Sequence, residues 1–351
     1  MKKEPGGPKG VSDMKEALFY TKEKDGAVRC AICQRRCMIS EGKRGYCWTR
    51  FNKDGRLYSL TYGRVATLAI SPIEKKPLYH FYPASRWLSL GSLGCNFRCP
   101  GCQNWEIAHR KIDEKATGTE FLSPEEAVRM AKNSGCKGIS WTYNEPTLWF
   151  EYTLESAKLA HQEGLLTNYV TNGSITPEAL DRIGPYLDAF RVDIKGFSEE
   201  TYRKFANLDD FEGILKVTRR AKENWGMWVE IVTNVTPTFN DSETELRGIA
   251  DWIVRDLGLE TPWHITRFFP HLDLASLEPT PVRTLEKARQ IGLGAGLKFV
   301  YLGNVAGHPG ENTYCPKCET LLIKRSGLSA TQILLENGKC PKCKNLIPGH
   351  F

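Results

Sequence analysis

The sequence predicts an α/β protein: a parallel sheet with helical crossovers that curls into a partial or near-complete barrel, with a small cysteine-rich module at each end. Three observations predict it. Short apolar runs between residues 86 and 303 alternate with helix-like stretches, the pattern that feeds parallel strands through crossovers. The runs are apolar enough to be covered on both faces. The twelve cysteines, all but Cys136, fall into three groups at 30–47, 95–102 and 315–343. A doubly wound open sheet is the alternative, and in either arrangement the working ends are the C-terminal ends of the strands.

The elements follow in order. Residues 1–20 are Lys-, Gly- and Pro-rich and read as a disordered tail. Residues 21–60 form an N-terminal metal module, 61–310 the barrel, and 311–351 a zinc-ribbon-like module. The stretch "YGRVATLAISPIEKKPLYHFYP" (62–83) is an aromatic- and Pro-bearing connector. Strand-like runs are "RWLSLGSL", "KGISWTY", "LTNYVT", "AFRVDIK", "MWVEIVTNV", "WHITRFF" and "LKFVYLG". Helices start between them: Ser123 is an N-cap with Pro124 at the first position and Gly135 as the stop. Thr176, Pro177 and Gly184 repeat that logic. "DSETELRGIADWIVRDLG" and "TPVRTLEKARQIG" do likewise.

The chain has 351 residues, 41% hydrophobic and 25% charged, with a formal net charge of +7. The excess positive charge is scattered, which describes a solvated surface rather than a nucleic-acid footprint. No apolar run approaches the roughly 20 residues of a membrane-spanning helix. Lys2 and Lys3 have no apolar region behind them, so the start is not a secretory signal and the chain reads as cytoplasmic. In that setting clustered cysteines mean metal or redox chemistry, not disulfides.

Cys315, Cys318, Cys340 and Cys343 make C-x2-C-x21-C-x2-C with two identical Cys-Pro-Lys-Cys knuckles, a closed four-thiolate zinc pattern; an auxiliary iron–sulfur cluster competes with it. Cys30, Cys33, Cys37 and Cys47 make C-x2-C-x3-C-x9-C, for which zinc and an auxiliary iron–sulfur cluster stand equal. The third group differs. In "GSLGCNFRCPGCQNWEIA" (91–108), Cys95, Cys99 and Cys102 are three, directly after the first strand run. Three thiolates ligate three irons of a [4Fe–4S] cluster and leave the fourth open to a substrate or cofactor. The competing reading is a zinc site that borrows His109 or Cys136; Cys136 otherwise reads as a small buried apolar residue.

"CNFRCPGC" resembles the cluster motif of radical S-adenosylmethionine (SAM) enzymes. That resemblance implies a barrel of the radical SAM type, catalytic Cys95, Cys99 and Cys102, and SAM bound on the open iron. Reductive cleavage then yields a 5′-deoxyadenosyl radical that abstracts hydrogen from a substrate. One departure is Gly101, where family members carry an aromatic residue. The resemblance extends along the strand ends. "SWTYNEPT" (140–147) implies SAM contacts from Asn144 and Glu145, "VTNG" (170–173) from Thr171 and Asn172, "VDIKG" (192–196) from Asp193 and Lys195, and "RFFPHLDL" (267–274) from His271. Glu230 stands where the activases of glycyl-radical enzymes have an Arg. "SPIEKKPLYHF", "TYNEPT" and "GNVAGHPGENTYCPKC" together resemble the AmmeMemoRadiSam system radical SAM enzymes, which are similar to pyruvate formate-lyase activating enzymes. That implies AMMECR1-type and Memo-type partners and an electron donor such as flavodoxin or ferredoxin, with no membrane. The functional expectation is radical chemistry on a small molecule or partner protein. A glycyl-radical enzyme activase and a zinc-ribbon scaffold are the alternatives.

Overall fold

Eight strands make the central sheet of the structure, a computed structural model that describes residues 14–113, 116–208 and 210–351. They are β1 (Thr67–Pro72), β2 (Arg86–Gly91), β3 (Gly138–Trp141), β4 (Leu166–Thr171), β5 (Ala189–Asp193), β6 (Trp228–Val235), β7 (Trp263–Arg267) and β8 (Val300–Gly303). Each pairs with its sequence neighbour. β2 to β8 are parallel, and β1 runs antiparallel to β2. A doubly wound sheet reverses its strand order at a switch point. This one never reverses, so right-handed crossovers place the helices on one face and turn the other inward. Among the described strands β1 and β8 pair on one side only, which leaves a partial barrel.

The crossovers start where their caps sit. The helices are α1 (Trp105–Ala108), α2 (Pro124–Asn133), α3 (Phe150–Gln162), α4 (Pro177–Ile183), α5 (Glu199–Ala206), α6 (Glu212–Glu223), α7 (Glu243–Trp252) and α8 (Val282–Gly294). Ser123 opens α2 in a capping box: its hydroxyl accepts from Glu126 N while its own amide donates to the Glu126 carboxylate at 2.8 Å. Thr176, Ser198 and Ser242 cap α4, α5 and α7 with the hydroxyl alone, accepting from the amides of Ala179, Thr201 and Glu245. α2 buries Ala127, Val128 and Ala131, the i, i+1, i+4 face of an amphipathic helix, against the sheet.

The connector plugs the N-terminal end of the barrel. Leu78 and Phe81 pack on Trp87 and Ala189, residues at the starts of β2 and β5. Glu230, near the start of β6, accepts from Tyr79 N (3.0 Å), His80 N (2.8 Å), Trp228 Nε1 (2.8 Å) and His264 Nε2 (2.6 Å). Burial pushes its carboxyl pKa up, but the His264 hydrogen bond and the Tyr79 amide help to outweigh that and hold it low. Glu230 therefore ties down the barrel floor, and the comparison with an activase arginine at this position carries no information about substrate.

The C-terminal module stands on the same floor. Its sheet comprises Thr313–Tyr314, Leu321–Ser326 and Ser329–Ile333. Buried Arg325 lies over the Tyr79 ring at 3.9 Å and donates to Tyr79 O and Thr313 Oγ1 at 2.9 and 2.8 Å. The His350 amide donates to His80 O.

Three expectations are corrected. Residues 1–13 lie outside the described residues, but 14–20 are not a tail: Lys15–Glu16 pairs with Arg56–Ser59, and Tyr20–Lys22 with Val28–Cys30. They complete small sheets of the N-terminal module, and that pairing overrides their polar composition. The connector contains β1, a strand of the main sheet; "TLAIS" alternates half-buried and exposed positions up to buried Ser71, as an edge strand does. The doubly wound alternative is excluded by strand order.

Candidate functional site

The cysteine triplet sits on the loop that leaves the C-terminal end of β2. Asn144, from the loop after β3, clamps that loop: its Oδ1 accepts from Ser92 N at 3.1 Å and its Nδ2 donates to Gly94 O at 2.8 Å. Gly94 has φ 84°, and a Cβ there would lie 2.5 Å from Thr49 Cγ2 and 2.7 Å from Cys47 O. No other residue type fits against the N-terminal module so closely. From within the loop, Arg98 donates to Cys95 O (2.6 Å) and Tyr46 O (2.7 Å), with its guanidinium on the Tyr46 ring; Arg35 lies over the same ring.

Cys95, Cys99 and Cys102 are partly buried. Burial pushes all three thiols up, and the charges of Cys99 and Cys102 both act on Cys95. Phe97 N donates to Cys95 Sγ at 3.3 Å and Asn172 Nδ2 approaches it at 3.8 Å. Their sulfurs do not crowd as zinc ligands do: among the described residues, the C-terminal quartet is the group whose ligand atoms all lie within 4.8 Å of one another. Cys136 is no fourth ligand. The neighbouring Lys137 N bonds Arg86 O at the opposite end of β2, and Cys136 feels the charges of Arg86 and Lys76. It is buried, as an apolar cysteine would be.

The strand-end residues named from sequence gather around this loop. Glu145 is buried; its Oε1 accepts from Thr147 N (3.0 Å) and Thr171 Oγ1 (2.7 Å), its Oε2 from Asn172 N (2.8 Å). It caps the turn Pro146–Trp149 and joins the ends of β3 and β4. Burial raises its pKa against these donors, and its charge reaches Cys95. Thr171 Oγ1 also accepts from Gly173 N, and Asn172 Oδ1 from Ser174 N. Asp193 is held by Arg191 Nη1 at 2.8 Å and by Lys195 Nζ at 3.6 Å. Burial works to lower the Lys195 pKa, yet Asp193, Cys99 and Cys102 outweigh it and keep the ammonium charged. His271 precedes the turn Leu272–Leu274, and Asp273 N in that turn donates to Pro100 O at 2.9 Å, so the loop after β7 lies on the triplet.

The same loop accounts for Gly101. A Cβ on Gly101 would meet Phe268 Cε2 at 2.9 Å and Leu274 Cδ1 at 3.1 Å. Apolar side chains from across the cleft fill the space that an aromatic at 101 would take.

Sequence reasoning missed Asn96, Arg98, Phe268 and Arg191. Asn96 and Arg98 lie inside the motif that was read, and the signal was there: a polar side chain between ligating cysteines needs a partner. Phe268 carried no signal, since its contact joins two loops distant in sequence. No helix among the described residues is long and apolar enough to cross a membrane.

Residues 90–252 match the Radical SAM superfamily. The chain is 45% identical over 323 residues, 92% of this chain and 95% of the relative, to uncharacterized protein MJ0808 of Methanocaldococcus jannaschii. It is 23% identical to a putative glycyl-radical enzyme activating enzyme of the same organism, MJ1632, across 62% of this chain and 79% of the relative. It is 25% identical to the pyruvate formate-lyase-activating enzyme of Clostridium pasteurianum across 46% of this chain and 66% of the relative.

Proposed function

Since the chain belongs to the radical SAM superfamily, we propose that Cys95, Cys99 and Cys102 hold a [4Fe–4S] cluster whose fourth iron takes SAM. The observation that carries this reading is the triplet itself: three soft thiolates on one strand-end loop, outside the compact four-sulfur grouping that the C-terminal quartet shows. When bound, the cluster supplies one electron that cleaves SAM to a 5′-deoxyadenosyl radical, which takes a hydrogen atom from the substrate.

The chain's own residues prepare that site. Lys195, charged and beside Cys99 and Cys102, offers a cation for the SAM carboxylate, and Asp193 with Arg191 fixes its direction. Asn172 steadies Cys95 through an N–H···S contact. Glu145 has three of its roughly four acceptor sites engaged internally, which leaves one for the SAM amine. Thr171 and Asn144 hold the two strand ends in register, and His271 lies on the loop that covers the triplet. Phe268 and Leu274 exclude water beside Gly101. Cys315, Cys318, Cys340 and Cys343 hold a structural zinc away from this chemistry: Cys315–Cys343 is 3.5 Å and Cys318–Cys340 is 3.6 Å, against about 3.8 Å between sulfurs that ligate zinc at about 2.3 Å.

The substrate is a small molecule or a partner protein in the cytoplasm, with AMMECR1-type and Memo-type proteins as candidates and flavodoxin or ferredoxin as donor. Relatives named as glycyl-radical activating enzymes favour a second reading, radical transfer to a partner's glycine. Anaerobic reconstitution with iron and sulfide, then dithionite and SAM, should yield 5′-deoxyadenosine. Full cluster loading without that product overturns the reading. A glycyl doublet in electron paramagnetic resonance after incubation with the candidate partners would select the second reading.

A further inference from the structure

The N-terminal and C-terminal cysteine quartets differ in a way that their spacings in sequence do not reveal. The C-terminal sulfurs all lie within 4.8 Å of one another, the compact arrangement of a single ion. Cys30, Cys33, Cys37 and Cys47 are spread wider, yet they line one cavity of about 10 Å³ together with Arg50 and Asn96. That volume admits a water-sized sphere of roughly 1.4 Å radius. Sulfurs that ligate zinc at about 2.3 Å leave no room for such a sphere, whereas a cluster interposes irons and sulfides and holds its thiolates further out.

Two buried donors without acceptors reach this cavity. Arg50 and Asn96 are 1% and 0% exposed, and neither Arg50 Nε nor Asn96 Nδ2 has a hydrogen-bond partner. Arg50 lies beside Cys30 and Cys47, and the Asn96 amide faces Cys33. N–H groups beside four cysteines suit electron-rich sulfur, and N–H···S bonds to the thiolates and sulfides of a cluster would satisfy them. On its other side Asn96 follows Cys95 in the chain. Its Oδ1 lies 3.9 Å from Cys95 Sγ and accepts from Asn172 Nδ2 at 2.8 Å. One side chain thus separates the quartet from the triplet.

We propose that Cys30, Cys33, Cys37 and Cys47 hold an auxiliary iron–sulfur cluster that relays electrons past Asn96 to the cluster at the triplet. A low-potential one-electron donor protein is oxidised by one electron as the auxiliary cluster is reduced. The auxiliary cluster is reoxidised as the triplet's cluster takes that electron, and no bond or proton changes hands. The relay rests on the radical SAM reading; the auxiliary cluster does not, and the experiment separates them.

The Cys95→Ala/Cys99→Ala/Cys102→Ala protein, reconstituted anaerobically with iron and sulfide, should retain iron and acid-labile sulfide in about equal amounts, with one zinc per chain. After dithionite it should give a cluster signal in electron paramagnetic resonance. Two zinc per chain with no sulfide, or no metal beyond the C-terminal zinc, overturns the auxiliary cluster. For the relay, Cys33→Ser/Cys37→Ser in the chain with its triplet intact should lose 5′-deoxyadenosine formation driven by reduced flavodoxin and keep that driven by dithionite. Retention with both donors, or equal loss with both, overturns the relay.

Discussion

Arg50→Met should unseat the N-terminal module from the barrel. Arg50 Nη1 donates to both Glu151 oxygens at 2.9 Å, Nη2 donates to Leu148 O at 3.1 Å, and both partners of the pair are 1% exposed. Leu18 N adds a bond to the same carboxylate at 3.0 Å. Removing one member of a buried pair strands the other in low dielectric at a cost of about 3–5 kcal/mol. Glu151 keeps the Leu18 amide, so the lower half of that range, about 3 kcal/mol, is expected. In a chain of this size that corresponds to a fall in melting temperature of roughly 4 °C. The double variant Arg50→Met/Glu151→Leu removes both charges and should recover most of the loss, because replacing a buried pair with apolar groups is often neutral. Thermal unfolding followed by near-ultraviolet circular dichroism measures both. A single variant within about 0.5 kcal/mol of the parent, or a double variant worse than the single, would refute the claim that this pair is desolvated and joins module to barrel.

Other expectations follow from the same structure. His80 is buried, and desolvation lowers its pKa to about 4 despite the Glu230 charge. Between pH 6.5 and 4 the unfolded chain takes up a proton that the folded chain refuses. Stability is therefore full above pH 6.5 and falls by on the order of 3 kcal/mol toward pH 4; a melting-temperature profile against pH should flatten in that window for His80→Gln. Cys340→Ser should release one zinc and melt the C-terminal sheet first, since structural zinc contributes on the order of 10 kcal/mol of binding free energy to folding; unchanged melting would remove the structural role. Gly101→Ala should cost about 1–3 kcal/mol through overpacking on Phe268 and Leu274, and Phe268→Ala in the same chain should restore it, as read by thermal unfolding.

What the sequence disclosed depended on how locally each feature is encoded. Strand positions were legible because "LTNYVT" or "VEIVTNV" must be apolar where the sheet is covered, and helix starts because Ser123 or Thr176 bonds a backbone amide three residues on. The triplet and the polar strand ends were legible because they lie within short segments. Barrel closure, β1 and the docking of the flanking modules were not. Each depends on pairing between segments far apart, such as Thr67–Pro72 against Arg86–Gly91, or Arg325 against Tyr79. Glu230 shows the hazard of position alone: a charged residue in a strand was compared with a site arginine, whereas its carboxylate faces the amides of Tyr79 and His80 at the floor. The difference between the two cysteine quartets was equally hidden, since it lies in sulfur separation and not in spacing along the chain.

The central claim is an iron at the triplet that no protein side chain ligates. Mössbauer spectra of the ⁵⁷Fe-reconstituted chain, recorded with and without SAM, test it most directly. One iron of the triplet's cluster should change its isomer shift and quadrupole splitting when SAM binds, and no such change should appear in Cys33→Ser/Cys37→Ser/Cys99→Ala. Spectra unaltered by SAM at full cluster loading, with every iron in an equivalent thiolate site, would contradict the account.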